Sequence, residues 1–446
     1  MKDLTKGNVY KTFFLFALPL MLSGLLSQSY NIIDTAIAGK YLKEAGLAAI
    51  SCTSSFITLV SSVMWGFCSG VGIYTAILFG AKDYRRIKSL IASSALLLSL
   101  TGFLVCAFFV IIKNPIFSFL NVDSSIRTEA SRYFTIYTLG LVLVILNNFG
   151  LTIMNSLGAS GYPFYMSLLS AALNIAGNII SITVLHMGAV GVALSTVLSA
   201  LVVDVFYFFK IRSCLKELGV LHEKIYFNSD NLKNLLNYAT PVTAQQLIMY
   251  VSGFLIAPSI NALGAAATAS FAVSNHVYNV CASLYQNSSK TVSTYSSQCL
   301  GAKKSNKLKK GVWVGFVQAS ATIIPIIFLF SVFAREISLF FFEKGYSGDA
   351  LGYSVEFVKY FLPFVLLNVI NNLFHSFWRG ITAMPYLLWG TAIGTVSRIA
   401  LTLVLTPRLG MTGVHLAWAL SWLVEIFPNL ALFFSGKWKK FIVKYE

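Results

Sequence analysis

Apolar runs of 18 or more residues recur along nearly the whole chain, separated by short polar segments. Each run is long enough for an α-helix to cross a hydrocarbon layer about 30 Å thick. The runs lack the period-two alternation that is typical of transmembrane barrel strands. They predict twelve transmembrane helices at about 13–38, 47–75, 88–112, 130–156, 163–185, 189–209, 232–258, 266–297, 311–334, 354–379, 384–405 and 411–434.

The scarcity of charge supports the same class of protein. Of the 446 residues, 57% are hydrophobic and 11% are charged. Soluble domains carry about 25% charged residues. The chain is therefore predicted to be an all-α polytopic membrane protein that has the lipid bilayer as a partner.

The net charge of +17 could indicate a nucleic-acid partner, but the distribution of the charge argues against one. Outside the predicted helices or at their ends, 22 Lys and Arg residues fall on one side of the membrane and seven on the other. The positive-inside rule makes the more basic side cytoplasmic. We therefore expect a multi-pass protein of the plasma membrane with both termini in the cytoplasm, and no nucleic-acid partner.

The first half of the chain recurs in the second half at an offset of 221 or 222 residues. The recurring pairs are Pro19 and Pro241, Gly80 and Gly301, Pro163 and Pro385, Gly188 and Gly410, and Gly191 and Gly413. This repeat predicts two pseudo-symmetric six-helix bundles, an N-lobe at 1–220 and a C-lobe at 221–446. Because six is even, both bundles have the same orientation, which is a common transporter plan with the substrate cavity between the halves. Pro19 and Pro241 lie early in their helices, remove a hydrogen-bond donor, and are predicted to be helix hinges.

One carboxylate interrupts the first apolar run. Asp34 is the first charged residue after Phe13, and Tyr30 and Asn31 precede it by four and three positions, on the same helix face. A charge within the bilayer costs at least about 2.5–3.5 kcal/mol, so it indicates function by default. Burial also favours the protonated form of a carboxylate. Asp34 is thus a candidate for coupling to a cation, with a purely structural pairing as the alternative.

The second half carries deep cations instead. Lys290 lies eleven residues before Gly301 within the polar stretch YQNSSKTVSTYSSQ, beyond ordinary snorkelling reach. Arg398 is similarly deep, and it could either face a cavity or pair with Glu425. The other polar and aromatic candidates for a substrate cavity are Gln245, Gln246, Asn275, Tyr278, Gln286, Asn287 and Trp378.

Several stretches resemble the multidrug and toxic compound extrusion (MATE) transporters, over essentially the whole chain. They are YNIIDTAIAGKYLKEAGLAAIS (30–51), NSLGASGYP (155–163), LNIAGNIISITVLHMGAVGVALST (173–196) and GMTGVHLAWALSW (410–422). The resemblance implies twelve helices in two lobes around a central cavity. It also implies export of cationic or amphipathic compounds, driven by inward flow of H⁺ or Na⁺.

The resemblance also implies a set of coupling residues. The family's acid in the first helix corresponds to Asp34, and its polar partners in the fifth and sixth helices correspond to Asn174, Asn178 and Thr196. Many relatives carry an Asp where this chain has Asn178. One branch carries a Glu where this chain has Met249, so this chain lacks the acid that forms the C-lobe site of that branch.

These observations predict a secondary active antiporter that exports amphipathic, cationic small molecules in exchange for H⁺ by rocking-type alternating access. Na⁺ is the alternative coupling ion. Lys290 and Arg398 leave open an exporter of anionic or zwitterionic metabolites and a flippase for lipid-linked oligosaccharides. The sequence shows no Walker A motif, no metal-ligand cluster and no nucleophile with a base. We therefore expect a monomer that is not an enzyme and needs no cofactor or metal.

Overall fold

A computed structural model describes residues 1–42, 44–119, 124, 126–226, 229–342 and 345–445 of the chain. Within these ranges the regular structure is helical, as the apolar runs predict, and the all-α polytopic class is confirmed. The helices are α1 (Val9–Tyr41), α2 (Glu44–Gly80), α3 (Tyr84–Ile111), α4 (Lys113–Phe119), α5 (Arg127–Ser156), α6 (Gly161–Ile179), α7 (Gly188–Glu217), α8 (Ser229–Asn261), α9 (Ala265–Gly301), α10 (Leu308–Val332), α11 (Ala334–Leu339), α12 (Asp349–Glu356), α13 (Val365–Gly380) and α14 (Met384–Phe434).

The helices agree with the predicted twelve membrane crossings. In the described ranges, nine helical segments have the length and hydropathy to cross a bilayer. One of them is α14, whose 51 residues contain a non-helical backbone at Gly410 (φ 59°, ψ −135°), so it provides two crossings. Helices α8 and α9 have 33 and 37 residues and are long enough to cross as well, although they carry more polar side chains.

Two crossings are less regular than their apolar runs predict. The run at 354–379 forms α12, a π-helical turn (Phe357–Phe361), a 3₁₀ turn (Leu362–Phe364) and then α13. Pro363 lies in the 3₁₀ turn, and because proline has no N–H, an unbroken α-helical ladder cannot continue through it. Helix α6 likewise ends in a π-helical turn, Ile180–Val184. Such turns change the direction in which later side chains point.

The chain forms two compact units. The N-terminal unit contains Met1–Asp3 and Leu25–Thr243, and the C-terminal unit contains Leu4–Gly24 and Ala244–Glu446. Helices α1 and α8 each contribute residues to both units, whereas the predicted lobes at 1–220 and 221–446 assign each helix to one lobe.

In the N-terminal unit, α5 packs against α2, α3 and α7. Glycines allow these helices to approach closely, as is common in membranes. A Cβ added at Gly140 of α5 would overlap Val197 of α7, and one added at Gly150 would lie 2.6 Å from Tyr207 Cγ. Because both pairs advance in the same direction along the chain, α5 and α7 run parallel.

In the C-terminal unit, α9 packs against α10, α12 and α13, and α13 packs against α14. The first part of α1 belongs to this unit and lies on α9. The rings of Phe13 and Tyr295 meet edge to face at 4.9 Å, and the backbone N–H of Leu4 donates to Gln298 Oε1 (2.9 Å). A Cβ at Gly24 would overlap the side-chain amide of Asn287.

Candidate functional site

A hydrogen-bonded polar cluster joins α6 and α7 in the N-terminal unit. Asn174 Nδ2 donates to Thr196 Oγ1 (3.0 Å), and Asn178 Nδ2 donates to Asn174 Oδ1 (2.9 Å). Thr196 Oγ1 in turn donates to the Val192 carbonyl oxygen. Both asparagines are buried, with 1% and 0% of their surface exposed. The structure thus brings together three of the residues that the resemblance implies for cation coupling.

Small residues make this cluster possible. A Cβ at Gly177 would lie 2.9 Å from Ser195 Oγ, and a Cβ at Gly191 would lie 2.6 Å from Ser181 Oγ. The two serine hydroxyls lie 3.3 Å apart and extend the polar contact to the π-helical turn that follows α6. Sequence reasoning missed Ser181 and Ser195, although their place beside close-packed glycines is the signal that could have revealed them.

The predicted acidic part of this site belongs to α1. The backbone of α1 is helical through Asn31 and Asp34, and the side chains of both residues lie outside the described residues. Tyr30 is half-buried on the same helix. The role of these three residues in coupling therefore remains a prediction.

A second polar network, in the C-terminal unit, is centred on His375 and Glu425. His375 Nε2 lies 2.8 Å from Glu425 Oε1, and both side chains are buried. Gln245 Nε2 donates to Thr391 Oγ1 (3.0 Å) and lies 3.4 Å from His375 Nδ1. Because an amide nitrogen only donates, His375 Nδ1 is the acceptor in its contact with Gln245. The His375–Glu425 pair becomes an ion pair with two charges when the imidazole is doubly protonated.

This network continues through α13 and the end of α14. Asn429 Nδ2 donates to the Glu425 carbonyl oxygen (3.1 Å), and Trp378 Nε1 donates to Asn429 Oδ1 (3.0 Å). Asn371 Nδ2 donates to the Trp422 carbonyl oxygen (2.9 Å). Trp378, a predicted cavity residue, is fully buried, so its ring packs against protein and presents no open face to a ligand in this structure.

Arg398 does not pair with Glu425, which the sequence had left open as its partner. Its Nη2 donates to Ser252 Oγ of α8 (2.9 Å). The carboxylate of Glu425 instead contacts His375, and among the described residues no ion pair joins Arg398 to Glu425. Arg398 therefore links α14 to α8 through a neutral hydroxyl, and the Glu425 carboxylate acts on its charge only at longer range.

An aromatic group surrounds Tyr278 on α9. Asn368 Nδ2 donates to the hydroxyls of Tyr278 (2.8 Å) and Tyr285 (2.9 Å), which lie 2.9 Å from each other. The ring of Tyr278 stacks on Trp422 at 5.9 Å and meets Trp418 edge to face at 5.4 Å. Sequence reasoning found Tyr278 and missed Asn368, which fixes the orientation of both tyrosines.

Lys290 lies on the same helix, and its side chain is exposed. Its Nζ donates to Asn287 Oδ1 (2.9 Å), and Asn287 Nδ2 donates to the Ser283 carbonyl oxygen (2.6 Å). Gly24 provides the space in which the Asn287 amide lies. Within the described part of the chain, no carboxylate pairs with Lys290, so this ammonium group is held by a neutral amide.

The remaining predicted cavity residues are more scattered. Asn275 Nδ2 donates to the Phe271 carbonyl oxygen of its own helix (3.0 Å). Gln246 and Gln286 are half-buried, whereas Gln245 is buried in the His375 network. The predicted hinges Pro19 and Pro241 lie inside α1 and α8.

The fold matches solved transporter structures. One is described as the outward-facing conformation of a multidrug resistance MATE family transporter of the MOP superfamily; it gives a TM-score of 0.91 at 18% identity over 100% of this chain and 98% of that one. A MOP superfamily transporter from Pyrococcus furiosus Vc1 (DSM3638) gives a TM-score of 0.90 at 17% identity over 99% and 98% of the two chains. At these identities the likeness establishes the fold.

The sequence matches the same group of proteins. Probable multidrug resistance protein YpnP of Bacillus subtilis (strain 168) is 23% identical over 452 residues, which cover 98% of this chain and 97% of the relative. The MatE family profile matches twice, over residues 19–180 and 241–404, and the two matches begin at Pro19 and Pro241. Since these matches cover well over half of the chain, it belongs to the MatE family of multi-pass membrane transporters.

Proposed function

We propose that the protein is a secondary active antiporter of the plasma membrane that exports amphipathic small molecules in exchange for H⁺. Membership of the MatE family supports the transport activity. The relative described as a probable multidrug resistance protein, which aligns over nearly the whole chain, supports export of drug-like compounds. The protein acts as a monomer, because one chain contains both copies of the family repeat.

The observation that carries the choice of H⁺ is the hydrogen bonding of Asn174 and Thr196 within the N-terminal polar cluster. Asn174 Oδ1 accepts from Asn178, and Thr196 Oγ1 accepts from Asn174. These oxygens are therefore engaged with each other rather than directed together at a bare Na⁺, which needs several oxygen ligands. A proton needs only one basic oxygen, which the carboxylate of Asp34 supplies.

The coupling ion is tested by export from proteoliposomes under an imposed H⁺ gradient or an imposed Na⁺ gradient, with the fluorescent cation ethidium as the substrate probe. We expect export under the H⁺ gradient alone, and its loss in Asp34→Asn, because the amide cannot bind and release a proton near neutral pH. Export by Asp34→Asn at the wild-type rate under the H⁺ gradient would refute the coupling role. Export of the probe under the Na⁺ gradient alone would identify Na⁺ as the coupling ion.

The first substrate class is an amphipathic organic cation. Tyr278 lies between two tryptophans, and aromatic faces of this kind attract both flat apolar rings and positive charge. Rocking of the two lobes would expose such a substrate alternately to the two sides of the membrane.

A second substrate class is favoured by Lys290. Its accessible ammonium group has a neutral partner, so this charge remains available to an anionic group. Arg398 adds a second cation to the C-terminal unit, and its hydrogen bond goes to a hydroxyl. The Pyrococcus furiosus relative is described as having a binding pocket of reverse polarity that suggests a different function. An anionic or zwitterionic metabolite is therefore the alternative substrate.

The two classes are separated by measuring transport of ethidium and of the fluorescent anion carboxyfluorescein by wild type and Lys290→Gln. If the substrate is anionic, Lys290→Gln loses carboxyfluorescein export. High salt is then expected to weaken carboxyfluorescein export by the wild type as well, because it screens the charge of Lys290. If the substrate is cationic, ethidium export is maintained or increased. Lys309→Gln, which removes an exposed lysine at the start of α10, is the matched control.

A further inference from the structure

The interface between α5 and α7 contains a buried acid that the predicted coupling site does not use. Both carboxylate oxygens of Asp204 on α7 are buried, and neither has a hydrogen-bond partner among the described residues. The side-chain nitrogen of Asn147 on α5 is buried and unpartnered in the same way. A buried polar group without a hydrogen bond is unfavourable, and a charged one more so than a neutral one.

The packing of the two helices places Asp204 and Asn147 at one level of their interface. Gly140 contacts Val197, and Gly150 contacts Tyr207, which fixes a constant register between the parallel helices. Asn147 follows Gly140 by seven residues, and Asp204 follows Val197 by seven. Residues seven apart lie on nearly the same helix face, so both side chains belong to the face on which α5 and α7 meet.

The exposure pattern along α7 supports this orientation. Val203 and Tyr207 are buried at 1% and 3% exposure, whereas Val205 and Phe206 are exposed at 48% and 46%. Asp204 therefore lies on the buried side of the helix, one residue away from the face directed at the lipid.

In the described part of the chain, the surroundings of Asp204 offer no fixed counter-charge at its level. Helix α7 packs against α5, α6, the π-helical turn and α2, and the charged residues of α5 all lie in its first six residues, far from the level of Asp204. The titratable neighbours are Tyr207 on α7 and Tyr162 on α6, whose rings lie 5.8 Å apart. The Tyr162 hydroxyl donates to the Phe206 carbonyl oxygen (3.0 Å), and Lys210 Nζ lies 5.5 Å from the Tyr162 ring centre, six residues beyond Asp204.

Asp204 lies on the same helix as Thr196 of the polar cluster. Asp204 lies eight residues after Thr196, which is about 12 Å along a helix, and about 9 Å before Lys210. It therefore lies between the Asn174–Thr196 cluster and the basic end of the helix, which the charge distribution predicts to be cytoplasmic.

We propose that Asp204 is a proton-binding site of the N-terminal unit, with Asn147 as the positioning residue that stabilises its ionised form. The inference rests on the proposed H⁺-coupled function, for which it supplies an acceptor on the cytoplasmic side of the polar cluster. One carboxylate oxygen forms an O–H bond with an incoming proton, which makes the side chain neutral. The same bond breaks when the proton passes to water on the cytoplasmic side, and the carboxylate then accepts from Asn147 Nδ2.

The direct test is infrared difference spectroscopy of the full chain in lipid between alkaline and acidic buffer. We expect a protonated-carboxyl band in wild type that is lost in Asp204→Asn and recovered at a shifted frequency in Asp204→Glu. Glu217→Gln, which removes an exposed acid at the end of α7, controls for water-accessible carboxyls. An identical difference spectrum for wild type and Asp204→Asn would overturn the proposal, and so would a band that Na⁺ suppresses at constant pH.

The positioning role of Asn147 is tested by comparing two leucine variants of α5. Asn147→Leu removes the amide donor. The protonated-carboxyl band of Asp204 is then expected to persist in alkaline buffer, because the ionised form loses its stabilising hydrogen bond. Asn148→Leu changes the neighbouring amide, which points about 100° away around the helix, and is expected to behave as wild type. Equal spectra for the two leucine variants would remove Asn147 from the proposal.

Transport measurements separate this inference from the function on which it rests. Asp204→Asn is expected to lose the pH dependence of ethidium export, while Asp34→Asn loses H⁺-driven export altogether. If Asp34→Asn fails and Asp204→Asn keeps both the wild-type pH dependence and the wild-type spectrum, only the present inference is wrong. If Asp34→Asn exports normally under the H⁺ gradient, the proposed coupling itself is wrong.

Discussion

At Gly394 the absence of a side chain determines how a buried acid packs. A Cβ at this position would overlap Glu425 Oε2, and a Cβ at Gly390 would lie 3.3 Å from His375 Nε2. One turn of α14 thus provides room for the His375–Glu425 pair. Breaking such a buried pair from one side leaves an uncompensated charge, which costs about 3–5 kcal/mol.

Gly394→Ala is therefore expected to lower the thermal unfolding temperature of the purified protein. The added methyl group must displace the Glu425 carboxylate, and overpacking of this kind costs about 1–3 kcal/mol. Gly352→Ala in α12 is the matched control, because a Cβ there meets nothing within 4 Å. An equal unfolding temperature for the two variants would show that Glu425 can move away without loss.

Individual site residues differ in how far the sequence could predict them. Asn174, Asn178 and Thr196 follow from the family resemblance, and they do meet. The pairing of Glu425 with His375 could not be predicted, because fifty residues and a change of helix separate the two side chains. Sequence depth alone made Arg398 the plausible partner, and only the packed helices show that a histidine is nearer.

At the scale of helices, the apolar runs predict well which helices exist and roughly where they begin and end. They predict poorly where a helix departs from regular α-helical geometry. The predicted helix at 189–209 is observed as Gly188–Glu217, because the helix continues past the apolar run into exposed polar residues. The π-helical turn before Pro363 depends on local geometry rather than hydropathy, whereas the backbone break at Gly410 falls in the gap between the predicted helices at 384–405 and 411–434. Hydropathy reports burial in lipid and carries no information on hydrogen-bond register.

The close approach of α5 and α7 gives a prediction for Gly150→Ala. A Cβ at this position lies 2.6 Å from Tyr207 Cγ and 2.9 Å from Tyr207 Cβ, so the helices must separate or the ring must turn. We expect a loss of about 1–3 kcal/mol in stability, measured as a lower unfolding temperature. Gly102→Ala in α3 has its nearest neighbour at 3.7 Å and is expected to have little effect. If both variants unfold at the same temperature, the α5–α7 contact is looser than described.

The two predicted hinge prolines belong to the helices that contribute to both compact units. Pro19 precedes the change of unit in α1 by about one and a half turns, and Pro241 precedes that in α8 by less than one turn. We expect Pro241→Ala and Pro19→Ala to slow ethidium export while raising thermal stability, because alanine restores a backbone donor. Pro428→Ala inside α14 should raise stability and leave export unchanged. Export at the wild-type rate by both hinge variants would contradict the hinge role.

At the scale of the whole molecule, duplication explains both the architecture and its asymmetry. The MatE profile matches two segments that begin at equivalent prolines, so each half inherits the same six-helix plan. The chemistry of the halves has diverged, since the position of Asp34 falls near Ile256, which is buried in an apolar cluster. Self-similarity could predict the plan because the glycines and prolines are retained. It could not predict the C-terminal polar network, because the residues of that network have no counterparts in the first half.

The orientation of the chain in the membrane can be tested at two exposed basic residues. The positive-inside rule places the loop before α10 in the cytoplasm and Arg335 of α11 outside the cell. Lys309 and Arg335 are both exposed, so cysteines at these positions should react freely with a membrane-impermeant maleimide. The test uses a background in which the six native cysteines are replaced. In intact cells Arg335→Cys should be labelled and Lys309→Cys should not, while permeabilised cells should label both. The reverse labelling in intact cells would invert the topology, and with it the side on which Asp204 is proposed to release its proton.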